Sequence, residues 1–93
     1  MIVSVADRRT GNLLKGERVA SFPHDLVRSV ERKLRMIEAA SALRDLTVPP
    51  GNKLHALKND LLGYHAIRIN DQWRIVFRWT EAGAEEVRVV DYH

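Results

Sequence analysis

The sequence has no cysteine, which removes both a disulfide framework and a thiolate metal site. No stretch approaches the run of about 20 apolar residues that a membrane-spanning helix needs. The opening MIVSVADRRTG puts charge close to the first residue, where a signal peptide would need an apolar core. A soluble, cytoplasmic protein with no membrane contact is expected. Internal repeats and low-complexity tracts are missing. So are His-x-x-x-His and acid-rich ligand spacings, and with them any motif for a metal. The five glycines form no phosphate cradle. Ser4, Ser21, Ser29 and Ser41 carry no nucleophile motif. No cofactor is therefore expected.

What remains is an ordinary globular composition, 45% hydrophobic and 29% charged over 93 residues, read as one domain spanning 1–93. The net charge of +3 is only a weak pointer to a polyanion. Its distribution says more. Residues 1–50 hold nine Lys/Arg against six Asp/Glu, whereas residues 51–93 hold six of each. A C-terminal half that binds RNA must do so by placing its cations, not by an excess of them.

Ile2 to Val5 reads as a short opening strand, and the polar stretch Asp7 to Arg18 as a short helix. The clearest helix covers 23–40. Leu26, Val27, Val30, Leu34 and Ile37 make one apolar stripe, Pro23 suits the first turn, and Asp25 sits where the helix dipole favours an acid. Arg28, Arg32, Lys33 and Arg35 lie off that stripe, as a solvated face or a partner-facing one. Ser41 is placed to cap a short helix from Ala42 to Leu46. Thr47-Val-Pro-Pro-Gly51 then divides a helical half from a β half.

Four strands are expected after it: Leu54–Lys58, Tyr64–Asn70, Trp73–Thr80 and Glu86–Tyr92. Trp73, Ile75, Phe77 and Trp79 alternate with Arg74, Val76, Arg78 and Thr80, a period of two with one apolar and one basic face. The predicted architecture is α+β: two or three N-terminal helices packed on one face of a small antiparallel sheet. The other face would carry Arg68, Arg74 and Arg78, whose guanidinium forks match phosphate oxygens. A plain solvated sheet face is the competing reading.

The histidines divide. His24 opens a helix and is expected in solvent. His65 alternates with Ile67 and Ile69 and reads as packed. His55 sits in the basic Lys53-Leu-His-Ala-Leu-Lys58, and His93 is the last residue of the sequence. RNA cleavage needs no cofactor, because the 2′-hydroxyl is the nucleophile. The protein must supply a base, cations for the phosphate and an acid for the leaving oxygen. This sequence contains that set, although spacing alone does not show that it converges.

Four segments, in order, resemble a known family: Lys53-Leu-His-Ala-Leu-Lys58, Gly63-Tyr-His-Ala-Ile-Arg68, Asp71-Gln-Trp-Arg-Ile-Val-Phe77 and Asp91-Tyr-His93. The chain resembles the HigB-type toxins of the RelE-like superfamily, the plasmid maintenance killer proteins; the first 22 residues resemble it only loosely. The resemblance implies a RelE-like fold and a type II toxin that acts as an endoribonuclease, cleaving mRNA on the ribosome without a metal. It also implies neutralisation by a HigA-type helix-turn-helix antitoxin, with the free toxin a monomer. Carried over residue by residue, His55, Lys58, Arg74 and His93 match catalytic positions. Asp91 and Tyr92 match a supporting pair, and Arg68, Arg78 and Lys53 would join them in holding RNA. His93 is expected as acid and His55 as base. The alternative on the same fold is a binder that blocks ribosome or gyrase without cutting. A small DNA-binding regulator fits less well, because the helical cations flank a packing stripe. Ideal alternation would put His55 and Lys58 on opposite faces, so the first strand is expected to stop near Leu57.

Overall fold

The computed structural model describes residues 1–91. The expected α+β arrangement is found. Helices α1 (Arg8–Leu14) and α2 (His24–Ala39) precede a four-stranded sheet of β1 (His55–Ala56), β2 (Tyr64–Arg68), β3 (Trp73–Thr80) and β4 (Gly83–Asp91). The strands lie in the order β1-β2-β3-β4, every neighbour antiparallel.

Asp7 starts α1 by accepting a hydrogen bond from the Thr10 amide at 2.9 Å, satisfying one of the orphan donors of the first turn. In α2 the stripe Leu26, Val30, Leu34 and Ile37 is buried, packed against Ile67, Ile75, Phe77, Val87 and Val89 of the sheet in one core. Trp73 and Trp79 border this core, half-buried; the Phe22 ring meets Trp73 edge-on at 5.3 Å. The apolar face of β3 thus packs where its alternation requires.

Several local expectations are corrected. Pro23 immediately precedes α2 instead of occupying its first turn. The expected Ala42–Leu46 helix is a 3₁₀ turn at Leu43–Thr47, and Ser41 does not cap it; Asp45 accepts from the Ser41 and Ala42 amides instead. Lys33 is only 7% exposed and donates to Asn52, which is itself fully buried. Strand β2 ends two residues before Asn70, and the Asn70 side chain organises the following turn by accepting from the Gln72 and Trp73 amides.

The last strand begins at Gly83, not Glu86, and contains a bulge. Glu86 adopts φ +55 and is the extra residue, so Ala84 and Val87 both face the core although they are three apart. The opening segment joins the sheet through two parallel bridges, Ile2 to Ala84 and Val5 to Val87, not as a full strand. It covers the outer edge of β4: Ala84 and Val87 donate to the Met1 and Ser4 carbonyls, and Val89 donates to Thr10 Oγ1 at 3.1 Å. An open row of strand amides is thereby closed to other chains.

Candidate active site

Strand register determines which side chains share the face turned away from the helices. Directly opposed residues in an antiparallel pair point the same way. Three rows follow. The central row is His55, Ala66, Val76 and Arg88. One flanking row is Tyr64, Arg78 and Glu85, and the other is Arg68, Arg74 and Val90. Ala66 and Val76 are buried, and neither belongs to the main core. They form the low floor of a trough with larger side chains along both sides, His55 at one end and Arg88 at the other.

His55 is exposed, and its Nδ1 lies 2.9 Å from the Lys53 carbonyl oxygen. A carbonyl only accepts, so Nδ1 carries the hydrogen. In the neutral ring the lone pair therefore sits on Nε2. Lys53 holds a left-handed conformation at φ +46 and is exposed, and its backbone carbonyl orients the histidine. Strand β1 stops after Ala56, one residue earlier than the expected limit. Lys58 is exposed and begins the 3₁₀ turn Asn59–Leu61, so strand alternation no longer dictates where its ammonium points.

Arg74 is half-buried on β3, opposite Arg68 on one side and Val90 on the other. It stands two strands and two residues from His55, a Cα separation of about 12 Å by ordinary sheet spacing. Side chains of those lengths reach a group between them. Arg68 pairs with Asp71, and Arg78 pairs with Glu85 at 2.7 Å, so each guanidinium already meets a carboxylate. The Arg78 guanidinium also lies 5.9 Å from the Tyr64 ring centre. Its hydrogen bond holds the Glu85 carboxyl below the usual carboxylate range, helped by a bond from Thr80, and raises Arg78 further.

His65 occupies the opposite face, paired with Phe77 and stacked beside its ring at 6.4 Å. Burial, and secondarily the nearby His55, push its pKa down; it is packed, as expected. His24 is exposed, as expected, and its Nε2 lies 2.8 Å from the Arg18 guanidinium. Asp91 pairs in register with Trp73, and its carboxylate accepts from Gln72 at 3.1 Å, which puts it on the helix side, out of the trough. Tyr92 and His93, both expected in the site, lie outside the described residues. Among the described residues no group of three or more His, Cys, Asp or Glu gathers as metal ligands would, and no helix is long and apolar enough to cross a membrane. Tyr64 and Arg88 share the trough face but were not singled out by the sequence. Both belong to rows that only register reveals.

Comparison with known proteins places these residues in context. The family described as RelE-like toxin of type II toxin-antitoxin system HigB matches residues 13–93. Toxin HigB-1 of Vibrio cholerae is 39% identical over 68% of this chain, the match spanning 66% of that protein, just under two thirds of its length. Endoribonuclease HigB of Proteus vulgaris is 32% identical over 80% of the chain and 79% of its own. Among solved structures, a chain of the YoeB-YefM complex from Staphylococcus aureus shares the fold, with a TM-score of 0.64 at 18% identity over 100% of this chain and 98% of that one.

Proposed function

The chain belongs to the HigB-like toxins of type II toxin-antitoxin systems, and from that premise we propose that it is a metal-independent endoribonuclease that cuts mRNA in the ribosomal decoding site. The observation that carries the reading is His55. Its Nδ1–H is committed to the Lys53 carbonyl, so the imidazole offers Nε2 as a base at the end of a trough that also bears Arg74.

In the proposed reaction the RNA 2′-oxygen attacks the adjacent phosphorus. The new O2′–P bond forms as the P–O5′ bond breaks, leaving a 2′,3′-cyclic phosphate and a 5′-hydroxyl. His55 Nε2 takes the proton of the 2′-hydroxyl, and His93 gives one to the departing 5′-oxygen. Arg74 and Lys58 hold the charge that builds on the phosphate. Asp91, on the helix side at the end of β4, and Tyr92 would position the terminal histidine from outside the trough. With Arg68 and Arg78 already paired to carboxylates and the β half neutral overall, free RNA should bind weakly. The ribosome would supply the alignment, a large source of rate. A HigA-type antitoxin is the proposed partner, and the cytoplasm the proposed compartment.

The test is cleavage of mRNA on programmed ribosomes. His55→Ala and deletion of His93 should each slow cutting by about 10²–10⁴-fold, the usual worth of a general acid or base. The Lys58→Ala/Arg74→Ala variant should be inactive while folded. Cutting at the parent rate by that folded double variant would refute the assignment. Ribosome binding with arrest of translation and no cutting by the unaltered protein would favour the non-enzymatic inhibitor.

A further inference from the structure

Lys33 is a buried cation that the proposed reaction does not use. It sits on α2, 7% exposed, and donates to the Asn52 side-chain oxygen 19 residues away. Asn52 is fully buried. Its Nδ2 faces the Leu46 carbonyl at 3.1 Å and the Val48 carbonyl at 3.4 Å, and its own amide donates to the Pro49 carbonyl at 3.0 Å. A lysine offers donors only and a carbonyl accepts only. The Asn52 amide therefore fits in one orientation, oxygen to Lys33 and nitrogen to the two carbonyls. The next residue, Lys53, has φ +46 and ψ +48. Such a left-handed conformation is unusual for a residue with a side chain and persists where its surroundings impose it. Those angles aim the Lys53 carbonyl, which receives the His55 Nδ1 hydrogen at 2.9 Å. Leu54 packs on the core and His55 pairs with Ala66. These contacts fix the path of the chain, but a peptide between fixed neighbours can still turn its plane, so path alone does not aim the carbonyl.

We propose that Lys33 and Asn52 are positioning residues for His55: the buried pair locks the turn before β1, so that the Lys53 carbonyl keeps the imidazole in its Nδ1–H form with Nε2 free as the base. The inference rests on the nuclease reading for its effect on rate, and on the structure alone for the tautomer. Which ring nitrogen carries hydrogen is set by the partner of the other, and a neutral histidine without such a partner favours hydrogen on Nε2. A ring in that form has no lone pair on Nε2 to take the 2′-hydroxyl proton. Lys33 and Asn52 lie beneath the surface and touch no RNA in this reaction; they act through the direction of one carbonyl.

The experiment uses the full-length protein labelled with the heavy nitrogen isotope. Its imidazole nitrogens are read by NMR where the rings are neutral, the His55 signals being those lost in His55→Ala, and kcat and KM are measured on programmed ribosomes. The unaltered protein should show His55 hydrogen on Nδ1. Lys33→Met/Asn52→Leu replaces both buried partners by apolar groups and keeps the fold. It should show His55 hydrogen mostly on Nε2 and lose about 10²-fold in kcat, the cost of a misplaced catalytic group, with KM unchanged. Should that variant fail to fold, Lys33→Met, which leaves every residue of the turn in place, carries the same test with changes in the same direction. Parent kcat or an unchanged His55 tautomer in a folded variant overturns the inference, because a merely structural pair would leave both alone. Hydrogen on Nε2 in the unaltered protein overturns it without any variant. No cutting by the unaltered protein overturns the nuclease reading, and the tautomer in parent and variants then still decides whether the buried pair sets His55.

Discussion

Asn52→Ala should unfold this protein more readily than any surface change, for reasons that can be worked through. Asn52 is 0% exposed. Its Oδ1 accepts from the Lys33 ammonium, and its Nδ2 donates to the Leu46 carbonyl at 3.1 Å and, more weakly, to the Val48 carbonyl at 3.4 Å. Burial, and to a lesser degree Arg32, already lower the pKa of Lys33. Removing the amide takes away the side-chain acceptor of that ammonium. Losing a hydrogen bond to a charged group costs about 1.5–3 kcal/mol, and the bond to Leu46 adds about 1 kcal/mol. A total near 3 kcal/mol would lower the melting temperature of a domain this size by roughly 12–24 °C. The double variant Lys33→Met/Asn52→Leu replaces both partners by apolar groups and should recover most of the loss. Urea and thermal denaturation of Lys33→Met, Asn52→Leu and the double variant complete a cycle. If the single losses simply add, or Asn52→Ala melts with the parent, the buried pair is not coupled and the reasoning fails. Because Asn52 closes the Pro50–Asn52 turn three residues before His55, Asn52→Ala should also cut mRNA poorly below its melting temperature.

Two further outcomes follow from the same structure. A Cβ on Gly83 would overlap the Met1 carbonyl oxygen, and the residue sits at φ +131; Gly83→Ala should therefore detach the opening segment from β4, read as faster amide exchange at Val87 and Val89 and a lower melting temperature, while an unchanged exchange pattern would contradict the close approach. Folded His65 binds its proton less tightly than an unfolded histidine, so its contribution is present above the unfolded pKa of about 6.5 and is lost as pH falls through the lowered folded value; melting temperature should drop on acidification below that point, and His65→Gln should flatten the drop, with equal slopes in both proteins counting against it.

Local chemistry made much of this legible in the sequence. Periods of 3.6 and two are properties of neighbouring residues, so α2 and β3 were readable directly, and with them the opposition of Leu26, Val30, Leu34 and Ile37 to Ile75 and Phe77. The end of β1 before Lys58 followed from the same alternation. Alternation put Arg74 on the basic face of β3, and the likeness of four short segments to one family pointed to His55 and Lys58, which no periodicity could have singled out.

Tertiary structure decided what depends on partners distant in sequence. Strict alternation along the last strand would put Ala84 and Val87 on opposite faces. The left-handed Glu86 resets that phase, and only the register against β3 shows where. Lys33 looked like one of four solvated cations because its acceptor, Asn52, lies 19 residues away. Arg78 looked available to RNA because Glu85 meets it only across a strand pair. The trough itself, with Ala66 and Val76 as floor between His55 and Arg88, belongs to no segment of the chain. It exists because antiparallel register brings one residue from each of four strands into a single row, a coincidence of positions that sequence spacing does not encode.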